Sequence, residues 1–261
     1  MNILQFKEAA KERKLSMVTC YDAWSAKIIN ETAIDCVLVG DSLGMVVHGY
    51  ESTVPVSLDL MVRHIEAVAR ASRNKLIVGD MPFLEYQQGG SHMFRAVQRL
   101  MQAGSHAIKL EGCDGFVDDI ASIVSSGVPV MGHLGLTPQS LHQLGGFRVQ
   151  GKNEDQAQSI RRQALELQRA GCFGLVLECV PSDLARSITE ELEIPTIGIG
   201  AGSGTSGQVL VFHDLLGLQS DFTPKFLKRY CSGFGVLRGA LAEYDDEVKA
   251  GAYPCEKDHS Y

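Results

Sequence analysis

No apolar run in this sequence of 261 residues approaches the roughly 20 residues needed to cross a bilayer, so nothing in it reads as a membrane span. The opening stretch, MNILQFKEAAKERKLS, carries Glu8 and Glu12 and lacks an apolar secretory core, which argues against a signal peptide. No long basic run is present. With 24 Lys and Arg against 31 Asp and Glu, the net charge of −7 gives nucleic acid no electrostatic footprint. An anionic small substrate stays compatible, provided the site supplies its own positive charge. There is no CxxC pair among the seven cysteines, Cys20, Cys36, Cys113, Cys172, Cys179, Cys231 and Cys255. An odd count without framework spacing argues against a disulfide scaffold and for a reducing compartment. The expected location is therefore cytoplasmic, and the Asn30-Glu31-Thr32 glycosylation match is accidental. No Walker motif, HExxH or nucleophile elbow occurs, nor any domain linker or low-complexity tract. Hydrophobic residues at 45% and charged residues at 21% suit a soluble globular domain able to bury a core without staples.

What the chain does have is eight short apolar runs, at 17–20, 36–39, 76–78, 107–110, 128–131, 174–177, 195–199 and 209–212. They are continuous rather than alternating, as parallel strands covered on both faces should be. Amphipathic stretches at 58–71, 93–103, 116–124, 156–170 and 183–192 lie between them, with Ser57 and Ser182 as candidate caps. Eight such units in about 250 residues predict an α/β fold, a single (β/α)8 TIM barrel, with a doubly wound sheet as the rival. Helix-to-strand links are short, whereas the links 41–56, 81–92 and 132–154 that follow strands are long. That asymmetry marks one elaborated face, where barrel active sites lie. One domain over 1–261 is expected, with an N-terminal helix, C-terminal helices beyond Phe222, and a polar tail that frays from about 251.

The polar residues fall at the ends of these runs: Asp41 and Ser42, Asp80, Lys109 and Glu111, His133, and Glu178. Lys109 and Glu111, two apart on a strand, share a face. Each has a bland explanation alone. An Asp caps the next helix, a Lys–Glu pair is structural, a lone His is a hydrogen-bonded core residue. Glu178 is harder to excuse, because an unpaired buried carboxylate is costly. Together, four carboxylates and a lysine at one rim do not serve stability. Asp41, Asp80 and Glu111 form an all-oxygen set that suits Mg²⁺. Lys109 then faces substrate, and Glu178 is free to move a proton. A metal, an ammonium and a spare base fit enolisation of a 2-oxo acid. The run 202–207 formally matches GxGxxG but precedes a strand-like QVLVF, so it fails as a dinucleotide site. PTIGIGAG instead allows close backbone approach or a tight turn at the rim.

The blocks YDAWSA, VLVGDSLGMVVHGYESTVPVSLDLMVRHIEAVAR, AIKLEG, MGHLGLTPQS, GGFRVQGK and IGIGAG, in this order, resemble the ketopantoate hydroxymethyltransferase family. The likeness runs from Phe6 to Tyr253. It implies a phosphoenolpyruvate/pyruvate-type barrel, Mg²⁺ on Asp41, Asp80 and Glu111, and a 2-oxo acid held by Asp41, Ser42, Asp80, Lys109 and His133. It further implies Glu178 as proton acceptor, 3-methyl-2-oxobutanoate and 5,10-methylenetetrahydrofolate as substrates, and a homo-oligomer, commonly a decamer. The chain departs from the family pattern at Ser206, where an acidic residue is expected, and after Phe83. The rivals are a metal-dependent 2-oxo acid lyase or aldolase on the same barrel, and a non-catalytic keto-acid sensor. A sensor gains nothing from Glu178.

Overall fold

The computed structural model describes residues 1–219 and 223–261, in two compact units, Met1–Val211 and Phe212–Tyr261. In the first unit, strands β1 (Leu15–Thr19), β2 (Cys36–Val39), β3 (Leu76–Asp80), β4 (Ala107–Glu111), β5 (Val130–Gly135), β6 (Gly174–Glu178), β7 (Thr196–Ile199) and β8 (Gly207–Leu210) close into a parallel barrel. β1 pairs with both β2 and β8, so no edge is left. This excludes the doubly wound sheet. Helices α1 (Ile3–Glu12), α2 (Ala23–Asn30), α3 (Leu43–Val46), α4 (Leu58–Ala71), α5 (Gly90–Gln102), α6 (Val117–Ser125), α7 (Leu141–Leu144), α8 (Glu154–Arg169) and α9 (Ser182–Glu191) complete the unit.

Alternation decides what fills the barrel. Leu15, Met17, Cys36, Leu38, Leu76, Val78, Ala107, Met131, Val176, Ile197 and Val209 form one buried cluster with Phe6 and Phe173. Asp80, Lys109, His133 and Glu178 lie two residues beyond Val78, Ala107, Met131 and Val176, and Glu111 two beyond Lys109. They therefore continue the same inward faces toward the C-terminal strand ends. At the other end α1 brings Phe6 edge-on to Phe173, with ring centroids 5.6 Å apart. An Asn2–Gln5 capping box fixes the start of α1.

The outer helices follow the amphipathic pattern. α4 buries Leu58, Met61, Ile65 and Val68, spaced three and four apart, and Ser57 Oγ accepts from Leu60 N at 3.2 Å as predicted. Ser182 is not a cap: α9 begins at Ser182 itself, Pro181 holds the cap position, and no side chain caps it. Several strands are shifted from their apolar runs. β5 starts at Val130 rather than 128 and reaches Gly135, because register with β6 carries it past His133. β8 begins at Gly207 and ends at Leu210, so Phe212 is not in it. Asn30 of the sequon is structural, its amide donating to Ala71 O at 2.6 Å.

No helix joins β7 to β8. The chain instead runs down α9, where a Cβ on Gly202 would lie 2.5 Å from Ser182 Cβ and one on Gly204 2.7 Å from Arg186 Cβ. The glycines of this segment thus serve close backbone-to-helix approach. Ser206 sits at the start of β8, exchanging hydrogen bonds with Thr196 at the start of β7 (3.2 and 3.3 Å). The departure from the family pattern therefore lies at the end of the barrel opposite Glu178.

The second unit holds α10 (Phe212–Leu215), α11 (Gly233–Ala250) and α12 (Glu256–His259). Within it, Tyr230 N donates to Leu215 O and Gly233 N to Leu216 O (2.8 and 2.9 Å). The tail expected to fray carries α12, where Cys255 N donates to His259 Nδ1 at 3.1 Å.

Asp35 closes the N-terminal end of the barrel by accepting from Ser16 N at 2.9 Å and from Arg13 Nη1 at 2.8 Å. Burial opposes its charge, but Arg13 and Ser16 outweigh that and hold its pKa below the ordinary value. A depressed carboxylate stabilises above its unfolded pKa and loses that contribution as pH falls through the folded value. Asp35→Asn should therefore cost about 1–2 kcal/mol at pH 7, with the gap to wild type closing below about pH 4. Urea unfolding across pH checks this, and a pH-independent gap contradicts it.

Candidate active site

Gly40 shows how tightly the mouth is built. A Cβ there would meet Ser42 Oγ at 2.9 Å and Asp80 Oδ2 at 3.3 Å, so glycine lets the β2 end lie against the β3 end. Asp41 N then donates to Asp80 Oδ2 at 3.1 Å. Asp41 and Ser42 lie just past β2, Asp80 and Glu111 end β3 and β4, His133 is inside β5, and Glu178 ends β6. Asp41, Asp80, Lys109, Glu111 and His133 are buried, whereas the Glu178 side chain is 18% exposed.

Contacts join these residues into one cluster. Lys109 Nζ lies 2.7 Å from Asp80 Oδ1 and 3.2 Å from His133 Nδ1. His133 Nδ1 is also 3.5 Å from Glu111 Oε1. His133 Nε2 lies 3.2 Å from Glu178 Oε2 but without hydrogen-bond alignment, so it is a buried nitrogen lacking a hydrogen-bond partner. Ser42 Oγ meets the Tyr21 hydroxyl at 2.8 Å, and the Tyr21 carbonyl contacts His64 Nδ1 at 2.5 Å. Lys109 and Glu111 are thus not a simple pair, since the ammonium turns to Asp80.

The electrostatics follow from burial and crowding. Burial, then the Asp80 and Glu111 charges, push Asp41 well above the ordinary carboxylate range. Burial also raises Asp80, partly offset by Lys109. For Lys109, burial opposes the charge, but Asp80, Glu111 and Asp41 outweigh it and raise the ammonium's pKa. Burial and Lys109 pull His133 down, while contacts to Glu111 and Glu178 prevail and raise it to about 9.

Two residues that the sequence reading missed hold the cluster together. Gln139 N donates to Glu111 Oε2 at 3.0 Å, while its amide Nε2 donates to Asp41 Oδ2 at 2.8 Å and Met81 O at 2.9 Å. The Tyr86 hydroxyl approaches Gln139 Oε1 and Glu111 O, each at 3.1 Å. One buried residue therefore orients two carboxylates from different strand ends, Glu111 through its backbone N–H and Asp41 through its side-chain amide. Its place in MGHLGLTPQS was the available signal, but no periodicity marks such a contact.

The donor set fits a hard divalent cation. Asp41, Asp80 and Glu111 offer only oxygen, and their raised or crowded charges gain from an added cation. Among the described residues, the group whose ligand atoms all fall within 4.8 Å of one another is a different one, Cys113, Asp114 and Glu166. Arg162 already bridges its carboxylates, at 2.9 Å from Asp114 and 2.7 Å from Glu166. The mouth carboxylates are spaced more widely. An ion there would keep water ligands, as Mg²⁺ commonly does.

A model of the ketopantoate hydroxymethyltransferase family matches residues 1–256. The chain belongs to the ketopantoate hydroxymethyltransferase family. A 3-methyl-2-oxobutanoate hydroxymethyltransferase from Coxiella burnetii (strain CbuG_Q212) is 52% identical over 263 residues, covering 100% of this chain and 99% of the relative. The enzyme of that name from Bdellovibrio bacteriovorus is 51% identical, covering 98% of each chain. Among solved structures, phosphonopyruvate hydrolase in complex with oxalate and Mg²⁺ aligns with TM-score 0.64 at 12% identity, over 100% of this chain and 92% of that one. 2,3-Dimethylmalate lyase, a PEP mutase/isocitrate lyase superfamily member, aligns with TM-score 0.62 at 16% identity, over 98% and 91%. These two speak for the barrel fold. As a member of the ketopantoate hydroxymethyltransferase family the chain is a transferase.

Gln139→Ala should weaken Mg²⁺ binding about ten- to a hundredfold by freeing Asp41, which loses its amide donor, while the backbone N–H to Glu111 remains. Calorimetric titration of metal-free protein measures this, and an unchanged affinity removes Gln139 from the support of a metal site.

Proposed function

We propose that this protein transfers a hydroxymethyl group from 5,10-methylenetetrahydrofolate to 3-methyl-2-oxobutanoate, giving 2-dehydropantoate and tetrahydrofolate for pantothenate synthesis. Full-length family membership supports the reaction. The observation that carries the chemistry is the division of labour at the mouth. Three buried carboxylates are tied into a cluster with Lys109 and Gln139, while Glu178 stands partly open beside them.

In this reading Asp41, Asp80 and Glu111 hold Mg²⁺, which supplies electrophilic stabilisation of negative charge developing on the keto oxygen. Ser42 and Lys109 contact the substrate carboxylate, and the Tyr21 hydroxyl fixes the Ser42 rotamer. Glu178 removes the C3 proton. The C3 carbanion equivalent then bonds to the one-carbon unit, whose bonds to both folate nitrogens, N5 and N10, are broken. Water supplies the hydroxyl, and the C3 proton and water's other proton end on the two nitrogens of tetrahydrofolate. His133 Nε2, buried and without a hydrogen-bond partner, is available to a substrate or product oxygen.

A lyase or aldolase reading shares the barrel, but family membership favours the transferase. A cytoplasmic, homo-oligomeric enzyme, commonly a decamer in this family, completes the proposal. Supporting the oligomer, Phe234, Leu237, Leu241, Tyr244 and Val248 form an exposed apolar line along α11 at alternating spacings of three and four. No helix among the described residues is long and apolar enough to cross a membrane.

The coupled assay with keto acid and methylenetetrahydrofolate, with and without Mg²⁺, tests this reading. Turnover should require all three components. Glu178→Gln should lower kcat by about a hundred- to ten-thousandfold while keto-acid binding persists. Near-normal turnover of that variant would remove Glu178 as the base.

A further inference from the structure

The segment 136–150 leaves and returns at the same two residues. Leu136 N donates to Glu178 O at 2.8 Å, and Gln150 N donates to Cys179 O at 2.9 Å. Its first half carries Gln139 into the carboxylate cluster. Its second half does something else. After Gly145 caps α7 with a left-handed φ of 69° and Gly146 continues at 111°, the chain presents Phe147 and Val149 to solvent, 53% and 39% exposed. Arg148 between them is exposed and makes no ion pair among the described residues. The far side is pinned again, because Gly151 N donates to Gln156 Oε1 at 3.2 Å and a Cβ on Gly151 would strike Leu184 at 2.7 Å. The loop is thus pinned at both ends on the backbone of residues 178–179, and it exposes two large apolar side chains and a guanidinium that makes no ion pair among the described residues.

We infer that Phe147, Arg148 and Val149 form the subsite for the reduced folate, resting on the transferase reading above. The one-carbon donor must reach the carbon from which Glu178 takes its proton, and Glu178 is the partly open member of the cluster. A folate is a flat bicycle and an aminobenzoyl ring, whose apolar faces suit Phe147 and Val149, ending in a glutamate that suits a guanidinium. The carboxylate-rich interior repels that glutamate, so the tail must lie outward on the rim, where Arg148 supplies the compensating charge.

The test uses the full-length, Mg²⁺-loaded enzyme and the variants Phe147→Ala and Arg148→Ala. Each should raise KM for 5,10-methylenetetrahydrofolate about tenfold or more, while solvent exchange of the C3 hydrogen measured without folate keeps its rate. Arg148→Ala should also erase the wild-type preference for tetrahydrofolate over tetrahydropteroate, which lacks the glutamate, and Arg148→Lys should restore part of it. An unchanged folate KM overturns the assignment. So does loss of exchange along with transfer, which would assign the loop to the keto-acid half. A change of sedimenting mass with unchanged KM would make it a face for a second copy of this chain. If the wild type itself performs neither exchange nor transfer, the transferase reading fails instead.

Discussion

Negative charge crowded at one end of a barrel is the constraint on which the rest depends. Asp41, Asp80 and Glu111 are buried together against one ammonium, and burial with mutual repulsion drives Asp41 and Asp80 upward. Left alone, such a cluster is destabilising, because desolvated carboxylates lose more than Lys109 returns. The surrounding structure manages this rather than avoiding it. Gln139 holds two of the carboxylates and Lys109 takes one oxygen of Asp80, and the divalent cation proposed above would offset what remains.

The barrel makes this arrangement possible by simple parity. Apolar residues fill the lower layers of each strand's inward face, and the next inward positions on β3 to β6 carry Asp80, Lys109, Glu111, His133 and Glu178. The long segments after β2, β3 and β5 then fold over that end. They supply Ser42, Tyr86, Gln139 and the exposed Phe147–Val149 rim. In the proposed reading the reacting groups sit on rigid strand ends, whereas the groups assigned to the larger co-substrate sit on loops tied to the same strands.

Much of this was legible in the residues. Continuous apolar runs identified the barrel, and a step of two placed Lys109 and Glu111 on one inward face. That these two belong to a larger cluster rather than a simple ion pair was suggested by the company of Asp41, Asp80 and Glu178. Other features were not legible. Ser182 has the right type for a cap but sits one residue inside α9, and β5 runs on to Gly135 because of pairing with β6. Gln139 binds across strands 28 and 98 residues away in sequence, a contact no local pattern encodes. Tyr21 is likewise joined to Ser42 through the pairing of β1 with β2.

The role proposed for Glu178 rests on its place outside the clamp: close to His133, partly open, and carried on the same backbone that anchors both ends of segment 136–150. The central claim is that a divalent cation answers the buried carboxylates and makes the neighbouring C3 hydrogen removable by Glu178. Proton NMR of 3-methyl-2-oxobutanoate in deuterated water with the enzyme and no folate measures that step alone. The account predicts loss of the C3 proton signal that requires Mg²⁺. Exchange equally fast after chelation of all divalent metal, or no exchange with Mg²⁺ in excess, would contradict it.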